Sequence, residues 1–294
     1  MPVPGIRFDE DDEDESTTDD ALSPLQLAAW QGDVPNISRF LAQGADPNEA
    51  PKGWYGKTAL QAAALRGHVD VVEMLLDAGA RIDEPGGNNG GRAALSLGAW
   101  AGHSVVVDRL LQRGADVNLA PHKYNGRTPL QGAAESGDLN IVKKLLEAGA
   151  KLDEPMAQHN GRTALQAACE HGHTNVVEYL LMAGAHLNAP ASRYRGITVL
   201  QAASAGGKVQ LVKKLLDAGA DVNAEGSGFH GGAALWLAAG AGHVEVVQLL
   251  IDAGADVHAL SGNQGKRCTA LQRANSLGRA DVVELLMGSQ NAAN

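Results

Sequence analysis

Apolar residues recur along the chain in a two-part pattern. A first stretch, such as Leu60, Ala63 and Ala64, offers one small apolar face. After a turn at Arg66-Gly67-His68, a second stretch places Val71, Val72, Leu75 and Leu76 at helical spacing. Residues 163–185 (TALQAACEHGHTNVVEYLLMAGA) show the whole unit: cap, short helix, tight turn, second helix, glycine stop. Near-copies start at Thr58, Thr128 and Thr198. The opening leucine falls at Leu25, Leu60, Leu95, Leu130, Leu165, Leu200, Leu235 and Leu271, with every step 35 residues except the last, which is 36. A fixed period of this size is the signature of a stacked array, in which each unit buries its apolar side against its neighbours.

Local chemistry supports the same elements. Thr58, Thr128, Thr163, Thr198 and Thr269 stand where an N-cap is needed, and Ser23-Pro24 does the same for the first unit. Pro35 falls near the start of the second helix, where a missing N–H costs little. Gly44, Gly79, Gly114, Gly149, Gly184, Gly219 and Gly254 end the second helices, a regularity that calls for left-handed stops. The segments after them, such as residues 81–92, are too rich in turn residues for helix. Units 3 and 7 lose the cap threonine, at Ala93 and Ala233, and carry Trp100 and Trp236. The expected organisation is a disordered acidic tail at 1–20, eight repeats over 21–288, and a polar tail at 289–294, with the last unit's helices fraying first.

Charge is unevenly placed. The net is -10, but residues 1–20 hold nine acidic residues against Arg7, a local -8 that leaves the array nearly neutral. No basic field recommends nucleic acid as a partner. The two cysteines, Cys169 and Cys268, show no disulfide or zinc spacing. No apolar run has membrane-spanning length and no signal-peptide core begins the chain. A monomer of a reducing compartment, cytosol or nucleus, is expected, with no membrane association, cofactor or metal.

Residues 128–150, TPLQGAAESGDLNIVKKLLEAGA, resemble the ankyrin repeat: a TPLH-type opening, two alanines, a Gly-His turn, a valine/leucine second helix and a Gly-Ala exit. Thr128, Pro129, Leu130, Ala133, Ala134, Gly137, Leu145, Leu146, Gly149 and Ala150 match position by position. The usual histidine is glutamine at Gln26, Gln61, Gln131, Gln166, Gln201 and Gln272, serine at Ser96 and tryptophan at Trp236. The exit loop is two residues longer than in the common repeat of about 33 residues. This long-loop, Gln-bearing variety looks like the arrays abundant in fungal proteins. The resemblance implies an all-α solenoid of eight helix-turn-helix units with β-hairpin finger loops. Fingers and first helices would line a concave face, and second helices a convex one.

No G-x-S-x-G elbow, P-loop or H-E-x-x-H occurs. His68, His103, His173 and His243 recur at the turn and are expected to satisfy turn backbone groups; Cys169 is expected as a small buried hydrophobe. In the family, the two residues before that turn face the groove. They read Trp30/Gln31, Leu65/Arg66, Trp100/Ala101, Glu135/Ser136, Glu170/His171, Ala205/Gly206, Gly240/Ala241 and Ser276/Leu277. Finger tips add Trp54, Tyr55, Lys123, Tyr124, His159, Arg193, Tyr194, Phe229 and His230. Aromatics and arginine are hot-spot residue types. The expected function is therefore a non-enzymatic scaffold binding a protein or peptide, with Trp30, Leu65, Arg66, Trp100 and Tyr124 as anchors and Glu135 and Glu170 as polar selectors. A basic ladder, Lys57, Arg92, Arg127 and Arg162, stops at Ile197 and Gly232. Pairing with Glu49, Glu84 and Glu154 on the same loops is its simplest role; reception of an acidic segment, including residues 9–15, is the other. The alternative function is a small-molecule or catalytic pocket at repeats 5–7, surrounded by Glu135, Glu170, His171, Tyr194, Phe229, His230 and Trp236, with Glu170 and His171 as an acid/base pair.

Overall fold

The structure is a computed structural model that describes residues 22–51, 56–85, 91–153, 157–227, 232–262 and 267–292. Among the described residues sixteen helices form eight pairs. They are α1 (Pro24–Gln31) and α2 (Val34–Ala42), α3 (Ala59–Arg66) and α4 (Val69–Asp77), α5 (Ala94–Trp100) and α6 (Ser104–Gln112), α7 (Pro129–Ser136) and α8 (Leu139–Glu147), α9 (Ala164–His171) and α10 (Thr174–Met182), α11 (Val199–Ala205) and α12 (Val209–Asp217), α13 (Ala234–Ala241) and α14 (Val244–Asp252), and α15 (Ala270–Ser276) and α16 (Ala280–Ala292). The chain divides into two compact units between Ala157 and Gln158.

The helices start where the caps stand. Thr58, Thr128, Thr163, Thr198 and Thr269, with Ser23, each accept from the N–H three residues on, while the glutamine there reaches back to the cap N–H. The glutamine that replaces the family's histidine is thus half of a capping box. Its amide then donates to the exit loop of its own repeat: Gln61 to the Glu84 carbonyl at 2.8 Å, Gln201 to that of Ala224 at 2.9 Å. Ala93 and Ala233 leave α5 and α13 without a side-chain cap.

In the N-terminal unit, first helices pack on first helices from α1 to α7, and second helices on second helices from α2 to α8. The core is the leucine register plus a stripe from each second helix: Ile37; Val71, Val72 and Leu75; Val106, Val107 and Leu110; Ile141, Val142 and Leu145. Each such side chain contributes roughly 1.5–3 kcal/mol by leaving water. The C-terminal unit repeats the arrangement with Leu165, Leu200 and Leu235, and with Val176, Val177 and Leu180, Leu211, Val212 and Leu215, and Val246, Val247 and Leu250.

Layers are also tied by hydrogen bonds. The turn histidines serve the preceding repeat instead of their own turn: the Nε2 atoms of His68, His103 and His243 donate to the carbonyls of Trp30, Leu65 and Ala205 at 3.0, 3.0 and 3.1 Å. The His68 ring lies so close to Gly32 (φ +72°) that a Cβ there would sit 2.6 Å from its Nδ1. Asn48, Asn118, Asn188 and Asn223 in the exit turns each donate to the glycine carbonyl that ends the next repeat's second helix, and accept from an N–H just beyond it.

One expectation needs correction. Among the described residues the finger loops carry only isolated bridges, His159 with Tyr194 and Ser261 with Cys268, and no strand. The loop backbone is instead bonded by the glutamine and asparagine side chains above. α16 runs to Ala292, and Gly288 lacks the positive φ of the second-helix glycine stops.

Candidate functional site

The position three residues before the register leucine and the position five after it form one system. The first lies on the extended approach to the cap, the second on the last turn of the first helix. A long side chain at the first position therefore lies across the helix to the second.

In the N-terminal unit this produces two arrangements. Trp30, half-buried at the end of α1, is covered by the Arg66 guanidinium 4.9 Å from the ring centre, with the Lys57 ammonium at 6.0 Å. Arg66 is exposed. Trp100, half-buried at the end of α5, carries the Arg92 guanidinium at 5.1 Å. Arg92 continues to Glu135 at 3.1 Å, which also accepts from Arg127 Nε at 2.7 Å. Arg127 donates in addition to the carbonyls of Asn125 and Gly126. The Arg127–Glu135 pair is enclosed, with side chains 8% and 14% exposed. Leu65, expected as an anchor, is only 7% exposed and offers a ligand little area. Tyr124 lies in its finger beside His122, with the Lys123 ammonium 4.9 Å from its ring centre.

The C-terminal unit repeats the ion pair once. Arg162 Nε and Nη2 donate to the two oxygens of Glu170 at 2.6 and 3.0 Å, while Nη1 donates to the carbonyls of Gly161 and Arg195. Such a bidentate, charge-assisted pair is among the strong hydrogen-bonded contacts. The ladder arginines thus pair with helix glutamates, a correction to the expected loop partners; Glu84 instead takes Arg81 at 3.3 Å. Glu170 is consequently occupied, and His171 stacks with His173 at 5.9 Å. His159 and Tyr194, on adjacent fingers, stack at 4.5 Å, and the Asn160 N–H donates to the Tyr194 carbonyl. Trp236 takes the place of a capping glutamine; its Nε1 donates to Cys268 Sγ at 3.3 Å and Arg273 covers its ring at 4.4 Å. A Cβ at residue 232 would lie 2.4 Å from that indole, so Gly232 makes room for it. Trp54, Tyr55, Phe229, His230 and Glu154 lie outside the described residues, as does the segment 1–21.

A cavity of about 360 Å³ opens between the exit loops of repeats 5 and 6, bordered by Pro190, Arg193, Asp221, Glu225 and Ser227. Glu170, His171, Tyr194 and Trp236 do not line it. Cys169 is fully buried, which pushes its thiol far above the ordinary range and leaves it protonated. Among the described residues no cluster of metal-ligating side chains gathers, and no helix is long and apolar enough to cross a membrane.

Sequence reading missed the arginine–glutamate pairs and the cation-covered tryptophans. A signal existed: Glu135 and Glu170 each follow an arginine eight residues earlier, and where the cation gives way to Ile197 and Gly232 the partner position shrinks to Ala205 and Gly240.

A family model described as ankyrin repeats (3 copies) matches residues 25–121, 106–191 and 199–294. A search of curated proteins returned no match.

Proposed function

The chain belongs to the ankyrin repeat family, and from that premise we propose that it is a protein-binding module that holds its partner on the first-helix face of the N-terminal unit. Ankyrin repeats are generally protein-interaction modules. The supporting observation is the pair of half-buried indoles, Trp30 and Trp100, each at the end of a first helix and each covered by a guanidinium. At Trp30 the stacked, exposed Arg66 keeps its outer N–H edge available while the ring below limits its rotamers, so little entropy is lost when a ligand binds; at Trp100 Arg92 is already held by Glu135. Tryptophan and arginine together are the residue types that dominate binding energy in protein interfaces. Glu135 then acts by fixing Arg92 and Arg127 and so shaping the face, in place of the expected selector role. Tyr194, Trp236, Glu170 and His171 belong to the C-terminal unit and supply a second, separate set of contacts.

Partner capture from the native cell compares the unaltered chain, the double variant Trp30→Ala with Trp100→Ala, and Met182→Ser on an exposed second-helix position (85% exposed). Partners kept by Met182→Ser and lost by the double variant are expected. A double variant that retains every partner rules the reading out.

A further inference from the structure

Resting on that reading, we propose that the chain carries its own competitor: the acidic run at residues 9–15, DEDDEDE, docks on the Arg66–Trp30 deck and must be displaced there by the acidic segment of a partner. Three observations converge on this placement.

The deck differs from the ladder-arginine sites. Arg92 and Arg127 share Glu135, and Arg162 takes both oxygens of Glu170. Arg66 is exposed, lies on the Trp30 ring, and has no carboxylate partner among the described residues. Its guanidinium edge matches a carboxylate bidentately, and the indole beneath holds it in place.

The occupant has the matching chemistry. Residues 9–15 are seven consecutive carboxylates in a chain whose array is nearly neutral. Such a run cannot bury itself and gains by approaching fixed cations.

The tether reaches. Six residues lie between Glu15 and Leu22, so the seven steps span up to about 25 Å when extended. The eight-residue α1, from its cap to Trp30, is about 12 Å long. A tether of this length gives an effective concentration on the order of 1 mM. An acidic ligand binding the bare deck at about 0.1 mM would then appear roughly tenfold weaker on the native chain.

The test uses full-length protein and a fluorescein-labelled synthetic peptide of residues 9–15, read by anisotropy. Three chains are compared: native; one with Asp9, Asp11, Asp12 and Asp14 changed to Asn and Glu10, Glu13 and Glu15 to Gln; and that neutralised chain with Arg66→Ala added. At about 20 mM salt the neutralised chain is expected to bind the peptide roughly tenfold more tightly than the native chain. The gain is expected to vanish with Arg66→Ala and at about 0.5 M salt, where exposed charges are screened. Equal affinity of the native and neutralised chains, binding by neither, or a gain that survives Arg66→Ala would each overturn the proposal. Arg66 is exposed, so its loss leaves folding intact, and Arg66→Lys should restore part of the gain. The tryptophan double variant is read independently against native partners; lost partners with no tail effect would sink the tail alone.

Discussion

At the scale of single residues, the enclosed ion pairs carry the most. Arg162 and Glu170 have side chains only 7% and 11% exposed. Removing one partner of such a pair leaves a charge without compensation, whereas replacing both by apolar groups is often neutral. Glu170→Ala should lower the unfolding free energy by about 3 kcal/mol, and Arg162→Met with Glu170→Leu should recover most of it, measured by urea unfolding. Asp33 offers a milder effect. Its carboxylate accepts from the Asn36 N–H and side-chain amide at the start of α2, and these bonds hold its pKa below the ordinary 3.8. A group depressed in the folded state stabilises above its unfolded value and loses that contribution as pH falls through the folded one. The advantage of the native chain over Asp33→Ala should therefore disappear as pH drops below 3.8, as followed by thermal melts across an acid series.

Among the helices, the two uncapped repeats allow a clean test. Ala93 has φ -65° and ψ 162°, nearly those of the capping Thr58 at φ -66° and ψ 165°. The backbone at α5 is already arranged for a cap that alanine cannot supply. Ala93→Thr should stabilise by about 1 kcal/mol, raising the melting temperature. The second helices show two solutions at one position. Asp33 and Asp138 cap their own helix, whereas His68, His103 and His243 leave theirs uncapped and bond to the previous repeat. His68→Ala should cost about 1 kcal/mol, and it should leave α4 helical by circular dichroism, because the bond lost is between layers.

Across the whole molecule, stability in a repeat array is close to a sum of unit and nearest-neighbour contributions. α15 and α16 bury little: Ala270 and Ala274 in one, Val282 and Leu286 in the other. In α9 and α10 most positions on the leucine and valine stripes are fully enclosed. Hydrogen exchange followed by mass spectrometry should find the amides of α15 and α16 exchanging at least about tenfold faster than those of α9 and α10. Equal protection would mean that burial does not set local stability here. Charge is also distributed at this scale: most of the -10 lies in the first twenty residues, so salt should act on ligand affinity far more than on the melting temperature.

The 35-residue period, the caps, the glycine stops and the sixteen helices follow from the sequence alone, because each depends on residues within a few positions of one another. Threonine and glutamine three apart define a capping box, and a glycine after a helical stripe defines a stop. The partners of the ladder cations were decided only in three dimensions. Glu49 and Glu84 are as near in sequence to Lys57 and Arg92 as Glu135 is to Arg127. The extended approach to each cap turns the side chain across the first helix, where Glu135 and Glu170 wait on the last turn. The indole decks are of the same kind: Arg66 meets Trp30 thirty-six residues away because one repeat of stacking brings their helix ends together.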